Sequence, residues 1–203
     1  PIIGAPDSAC VNSPISLQNL SLPVPPNSFW DFGDATTSTQ TNPVKTYAVA
    51  GSYTIRLINQ NVSCSDSITK TILILPKPSA DFTTPDLISC KASHTVNFQN
   101  LSTGGTGYEW DFGDGNISTL FNPVHIYSDT GNYTVRLVVT NSSGCTDTLT
   151  RNAYIRIQTP VLNPLINPNE GCRLLNVNLQ ANAVSLDGIV SWFWDFGDGI
   201  TST

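Results

Sequence analysis

The chain has no methionine, only two histidines and few charges, with Asp, Glu, Lys and Arg together making up 12% of its 203 residues. The nine Lys and Arg are scattered and the net charge is -6, which argues against a nucleic-acid interface built on a basic face. Long apolar runs are missing too. The longest candidate is Ile72 to Leu75, far short of the roughly 18 residues that a membrane-spanning helix needs. No window carries a sustained helical stripe, so helix is expected to be almost absent. With Pro1 first and no basic-then-apolar leader, the sequence reads as a window cut from a longer protein.

What the sequence does have is repetition. Trp-Asp-Phe-Gly-Asp occurs at Trp30–Asp34, Trp110–Asp114 and Trp194–Asp198, with the tryptophans 80 and then 84 residues apart. Flanking segments keep the register: Asn42-Pro43-Val44 matches Asn122-Pro123-Val124, and Gly51-Ser-Tyr-Thr matches Gly131-Asn-Tyr-Thr. Repetition at a fixed period signals tandem modules rather than one large domain. The expected boundaries are 1–77, 78–158 and a truncated third copy at 159–203. This third copy lacks the later strands and would present an open sheet edge for its own continuation or another chain to fill.

The five cysteines follow the repeat. Cys10 and Cys64 are 54 residues apart and Cys90 and Cys145 are 55 apart, so the expected bridges are Cys10–Cys64 and Cys90–Cys145. Cys172 heads the third copy, and its partner would fall near position 227. Each bridge would tie one end of a small module and contribute about 4 kcal/mol on the chain-entropy model. Disulfide staples in turn imply an oxidising compartment.

Within each copy, apolar residues alternate with polar ones: Ile15 with Leu17, Val96 with Phe98, and Tyr53, Ile55 and Leu57 with their counterparts Tyr133, Val135 and Leu137. Period-two alternation broken by Pro, Gly and Asn every 8 to 12 residues describes short half-buried strands. The fold class expected is all-β, tandem immunoglobulin-like sandwiches. Trp30, Trp110 and Trp194, each sharing a face with the Phe two residues on, are core candidates. Asp34, Asp114 and Asp198 belong to the following turn, where an Asp side chain bonds nearby amides. The linkers around Leu75-Pro-Lys-Pro and Thr159-Pro are Pro-rich and read as semi-rigid spacers.

Read together, the Trp-Asp-Phe-Gly-Asp-Gly turn, Asn-Pro-x-His-x-Tyr and Gly-x-Tyr-Thr-Val-x-Leu-x-Val-Thr-Asn of Trp110 to Asn141 resemble the PKD domain. The first copy departs at Ala35, where the second turn glycine is missing, and at Lys45, which stands in place of His. The resemblance implies a non-catalytic immunoglobulin-like module of extracellular, cell-surface proteins. Cysteine-bearing arrays of this composition are similar to those in large adhesins of Bacteroidota linked to gliding and type IX secretion. Asp7-Ser8-Ala9, Asp66-Ser67-Ile68 and Asp147-Thr148-Leu149 resemble that phylum's O-glycosylation tripeptide. The alternative is an accessory array on a secreted polysaccharide- or protein-degrading hydrolase.

No residue set stands out as catalytic. The Asp31/Asp34 pair and its equivalents recur in every copy beside a turn glycine, which suits hydrogen bonding at a strand end better than glycosidase chemistry. His94 and His125 have no counterparts to sustain a triad in the other copies. The spacing of oxygens in Asp111–Asn116 does not follow an EF-hand loop, so no cofactor is expected, with calcium confined to sites that loops assemble in space. Trp192, Phe193 and Trp194 form the best candidate platform for a sugar ring. Expected partners are other domains of the same long chain, with surface glycans or surface proteins beyond them.

Overall fold

The computed structural model describes residues 1–23, 27–61, 64–162, 164–167, 178–185, 189 and 191–203. It divides into two compact units. Unit 1 comprises Pro1–Ser79, Gly104–Gly107 and Val139–Asp147; unit 2 comprises Ala80–Thr103, Tyr108–Val138 and Thr148–Thr203. All regular structure among the described residues is strand.

Unit 1 carries β1 (Ile3–Gly4), β2 (Ser8–Cys10), β3 (Ile15–Ser16), β4 (Gln18–Asn19) and β5 (Asn27–Asp31). It continues through β6 (Thr37–Ser38), β7 (Val44–Lys45), β8 (Gly51–Gln60) and β9 (Ser65–Leu75). One sheet has the order β2-β9-β8-β5-β6, and the pairs β1-β4 and β3-β7 supply the other layer. The segment from Ile15 to Asn19 serves both pairs, since Ile15 lies opposite Lys45 and Asn19 opposite Ile3. Alternation along these strands fills a single core of Ile15, Leu17 and Tyr47 against Trp30, Phe32, Ile55, Leu57, Ile72 and Ile74. Trp30 is 0% exposed; burying a side chain of that size is worth about 3 kcal/mol. Thr54 and Arg56, which alternate with the buried Ile55 and Leu57, face water.

Unit 2 repeats the plan with β10 (Phe82–Thr83), β11 (Ile88–Ser89), β12 (His94–Asn97), β13 (Gln99–Asn100) and β14 (Gly107–Asp111). It adds β15 (Ile117–Ser118), β16 (Val124–Tyr127), β17 (Gly131–Thr140) and β18 (Thr146–Ile157), of which the ends of β14, β17 and β18 fall in unit 1. The sheet order is β11-β18-β17-β14-β15, with β12-β16 and β10-β13 as the second layer. Phe82, Phe98, Trp110, Phe112 and Tyr127 are buried, and their rings meet edge-on or tilted, as with Phe82 and Trp110 at 5.2 Å. The expected all-β sandwich architecture is present in both complete copies.

In the third copy the described strands are β19 (Val161–Leu162), β20 (Leu165–Asn167), β21 (Asn178–Gln180), β22 (Ala183–Val184), β23 (Trp194–Asp195) and β24 (Thr201–Ser202). They form three antiparallel pairs, β19-β22, β20-β21 and β23-β24. Cys172 lies outside the described residues.

The cysteine pairing differs from the expected one. Cys10 is bonded to Cys145, with Cα atoms 5.8 Å apart, while Cys64 keeps its thiol. The reason is the parallel first strand. β2 runs beside β9 with Cys10 opposite Leu75, the last residue of β9, whereas Cys64 precedes Ser65, the first. Eleven residues of strand at about 3.3 Å each separate the two levels by roughly 36 Å, and a disulfide needs Cα atoms within about 7 Å. The second copy has the same register, Ser89 opposite Ile157, which sets Cys90 by the end of β18 while Cys145 precedes its start. A bridge within a copy is therefore geometrically closed to both pairs. Cys90 Sγ instead lies 3.1 Å from Ser185 Oγ.

Candidate functional site

The repeated aromatic-acidic turn is the densest cluster of functional groups. In the first copy Asp31 Oδ1 accepts from Gly33 N at 2.9 Å, and Asp34 Oδ1 accepts from Thr36 N at 3.1 Å and from Thr36 Oγ1 at 2.5 Å. Phe32 N donates to Thr36 O at 3.1 Å and closes the loop. The second copy reproduces this: Gly113 N donates to Asp111, and Asn116 N and Nδ2 both donate to Asp114. In the third, Gly197 N donates to Asp195 Oδ1 and Ile200 N to Asp198 Oδ1, each at 2.9 Å. Three unrelated residues (Thr36, Asn116, Ile200) fill the same place because the bond uses the backbone amide.

From the opposite layer a basic side chain reaches each of the first two turns. Lys45 Nζ lies 2.5 Å from Asp34 Oδ2 and 5.1 Å from the centres of both the Phe32 and Tyr47 rings. His125 Nε2 lies 2.7 Å from Asp114 Oδ2, its ring stacked on Phe112 with centres 4.1 Å apart and planes nearly parallel. Lys and His are chemically different but fill one role, a nitrogen-bearing side chain laid against an aromatic ring and ending on a carboxylate. Burial pushes Asp34 up, but hydrogen bonds from Lys45 and Thr36 outweigh it and hold the carboxyl below its ordinary value. Asp114 is lowered in the same way, burial being overcome by His125 and Asn116.

Below the turn, Tyr47 Oη donates to Phe32 O at 2.8 Å and Tyr127 Oη donates to Phe112 O at 3.0 Å. Burial, then the charge of Asp34, pushes the Tyr47 phenol up to about 12, and Tyr127 shifts the same way through burial and Asp114. Both hydroxyls are thus locked as neutral donors to a backbone carbonyl. Arg136 reaches Asp111 at 3.5 Å. In the first two copies the second Asp of the turn is bonded on both oxygens inside its own module, an arrangement that can brace a loop.

The other expected site residues fall as follows. Trp30 and Trp110 are fully buried, and Trp110 Nε1 donates to Leu120 O at 2.9 Å. Trp30 Nε1, equally buried, has no partner among the described residues. Trp194 is half-buried and lines, with Trp192, Phe193 and Leu162, an open cleft of about 230 Å3. Phe193 is 69% exposed at its rim. Among the described residues no group of three His, Cys, Asp or Glu side chains lies close enough to hold a metal ion. Ser8, Ser67 and Thr148 are exposed on β2, β9 and β18.

Sequence reasoning missed a buried polar network. Asn19, 8% exposed, donates through Nδ2 to Ser28 Oγ at 2.9 Å and Asn59 Oδ1 at 2.8 Å, and accepts from Ser21 N and Oγ. Asn59 Nδ2 completes it by donating to Ser21 Oγ at 2.8 Å. The signal lay in the Gln-Asn-Leu-Ser motif common to two copies, which also reads as a glycosylation acceptor. Asn19 and Asn100 are too buried to accept a glycan in the folded state. The second copy has Tyr108 in the place of Ser28 and Val139 in the place of Asn59, and Asn100 Nδ2 is left without a partner among the described residues.

Comparison with known proteins bears on the same segments. The family model of the PKD domain matches residues 3–74 and 76–157. A microbial collagenase of Vibrio alginolyticus is 50% identical over 46 residues, covering 23% of this chain and 6% of its own length. The pre-pro-metalloprotease PrtV of Vibrio cholerae is 33% identical over 110 residues, covering 52% of this chain and 12% of its own. Among solved structures, the PKD1 domain of the Vibrio cholerae metalloprotease PrtV is 33% identical and covers 41% of this chain and 99% of that one, with a TM-score of 0.34. The chain thus spans a small part of the full-length relatives it matches.

Proposed function

Because the chain belongs to the PKD-domain family, we propose that it is a non-enzymatic extracellular spacer, a segment of a large cell-surface adhesin that holds another part of the protein away from the surface. The observation that carries this reading is the inward use of the repeated polar groups. Asp34 and Asp114 are both consumed by bonds within the turn and to Lys45 or His125, so the repeated turn braces the module in the two complete copies. The Cys10–Cys145 bridge supports an oxidising compartment. Modules at 1–77, 78–158 and 159–203 would be joined by Pro-rich links that limit bending. The exposed Ser8, Ser67 and Thr148 suit the glycosylated surface proteins of Bacteroidota that use type IX secretion, and an intact mass without added hexoses would count against that context.

The second reading, an accessory array on a secreted hydrolase, is favoured by the collagenase and metalloprotease names among the relatives. One experiment separates them. Incubated with insoluble collagen, chitin and cellulose, a spacer stays in the supernatant, whereas an accessory module is retained on one of the three. Hydrolysis of any of them by the purified chain would sink both readings.

A further inference from the structure

Cys64 is exposed and keeps its thiol, yet its repeat counterpart Cys145 is buried and bonded to Cys10. The two sit in matching loops. Asn61 N donates to Cys64 O at 2.9 Å, and Asn141 N donates to Cys145 O at 3.0 Å. In the second copy this loop is engaged twice within unit 1, by the Cys145–Cys10 bond and by Asn141 Nδ2, which donates to Pro76 O at 2.9 Å. Pro76 directly follows β9, and Cys10 lies opposite Leu75 at that same strand end. The loop therefore grips the finishing end of the copy before it in sequence, once covalently and once through an amide. In the first copy the matching Asn61 and Cys64 are exposed. They border a cleft of about 170 Å3 with Pro1, Pro23 and Leu22, the last 89% exposed.

We propose that Cys64 is the site of a second staple of this kind, a disulfide to a cysteine of the Cys10 class in a module preceding residue 1 of the same polypeptide. The spacing of the observed bridge places that cysteine about 135 residues ahead of Cys64. Asn61 Nδ2 then donates to the carbonyl standing where Pro76 stands, and the end of the preceding module covers Leu22 and the cleft. Each thiol loses its proton, and the pair passes two electrons to a disulfide oxidant, which is released as two thiols. Such a staple serves a stalk and a hydrolase appendage alike, and its absence would leave either reading standing.

The test places a second copy of residues 1–161 ahead of the full chain, which sets Cys90 of the leading copy 135 residues before Cys64 of the trailing one, the spacing of the observed bridge. Refolded with reduced and oxidised glutathione and digested without reduction, this protein is expected to yield a peptide joining those two cysteines. Iodoacetamide labelling of the trailing Cys64 is expected to fall at least tenfold against the unextended chain, and Cys64→Ser in the trailing copy to abolish the linked peptide. Trailing Cys64 remaining as reactive as in the unextended chain overturns the proposal. So does a Cys10–Cys64 peptide from the unextended chain, which requires no extension to detect.

Discussion

Two glycines of one turn share a backbone conformation but not a neighbourhood, and they separate strain from crowding. Gly113 has φ +81° and Gly115 φ +91°, both in the region that a side chain disfavours. Adding a Cβ at Gly115 meets nothing within 4 Å, so Gly115→Ala carries the conformational cost alone, about 1 kcal/mol. At Gly113 the new Cβ would run into Thr134 O and stand 2.9 Å from Thr134 N, backbone atoms of a central strand that cannot turn aside. Moving that strand adds overpacking of about 1–3 kcal/mol, so Gly113→Ala is expected to cost about 2–4 kcal/mol in all.

The first copy has already made the milder change. Ala35 stands at the place of Gly115 with φ +66° and is tolerated. Ala35→Gly is accordingly expected to stabilise by up to about 1 kcal/mol. Urea unfolding of the full chain followed by tryptophan fluorescence reads all three variants. Equal costs for Gly113→Ala and Gly115→Ala, or a cost below about 1 kcal/mol at Gly113, would refute the view that contact with β17 makes this glycine necessary.

Trp110→Phe is expected to destabilise by about 1 kcal/mol more than Trp30→Phe, because only Trp110 gives up an indole hydrogen bond and leaves Leu120 O unpaired; the two urea midpoints decide it. Asp34 and Asp114 have folded pKa values below 3.8, so the stability they contribute is complete above about pH 4 and is lost as pH falls through the lowered values. Midpoints measured from pH 5 to 2 should drop less steeply in the Asp34→Asn/Asp114→Asn double variant, and an unchanged slope would exclude the turn as the source. Tyr47, raised to about 12, adds the opposite limb, with stability declining above pH 10. Cys10→Ser opens a loop of 135 residues and is expected to cost about 5 kcal/mol on the chain-entropy model, read as a lower thermal midpoint; no change on removing Cys145 as well would show that the two act as one bond.

Much of the fold was legible in local pattern. The Trp110–Phe112 spacing announces one buried face, and the Gly-Asp step announces a turn whose carboxylate bonds an amide two residues on, because both effects act over a few residues. The contacts Lys45–Asp34 and His125–Asp114 were not legible, since each joins the turn to a strand of the other layer. Nor was the burial of Asn19, whose partners Ser28 and Asn59 come from two distant strands and make a polar side chain affordable in a core position.

Sequence alone determined that the chain is a tandem of like modules, that alternate residues of short strands face a common core, and that cysteines recur at one spacing. Which sulfurs meet was decided only in three dimensions. Equal spacing says that two pairs are equivalent but not which level of the sandwich each cysteine occupies. That level depends on β2 running parallel to the far end of β9, a long-range register to which the 54 residues between Cys10 and Cys64 give no clue.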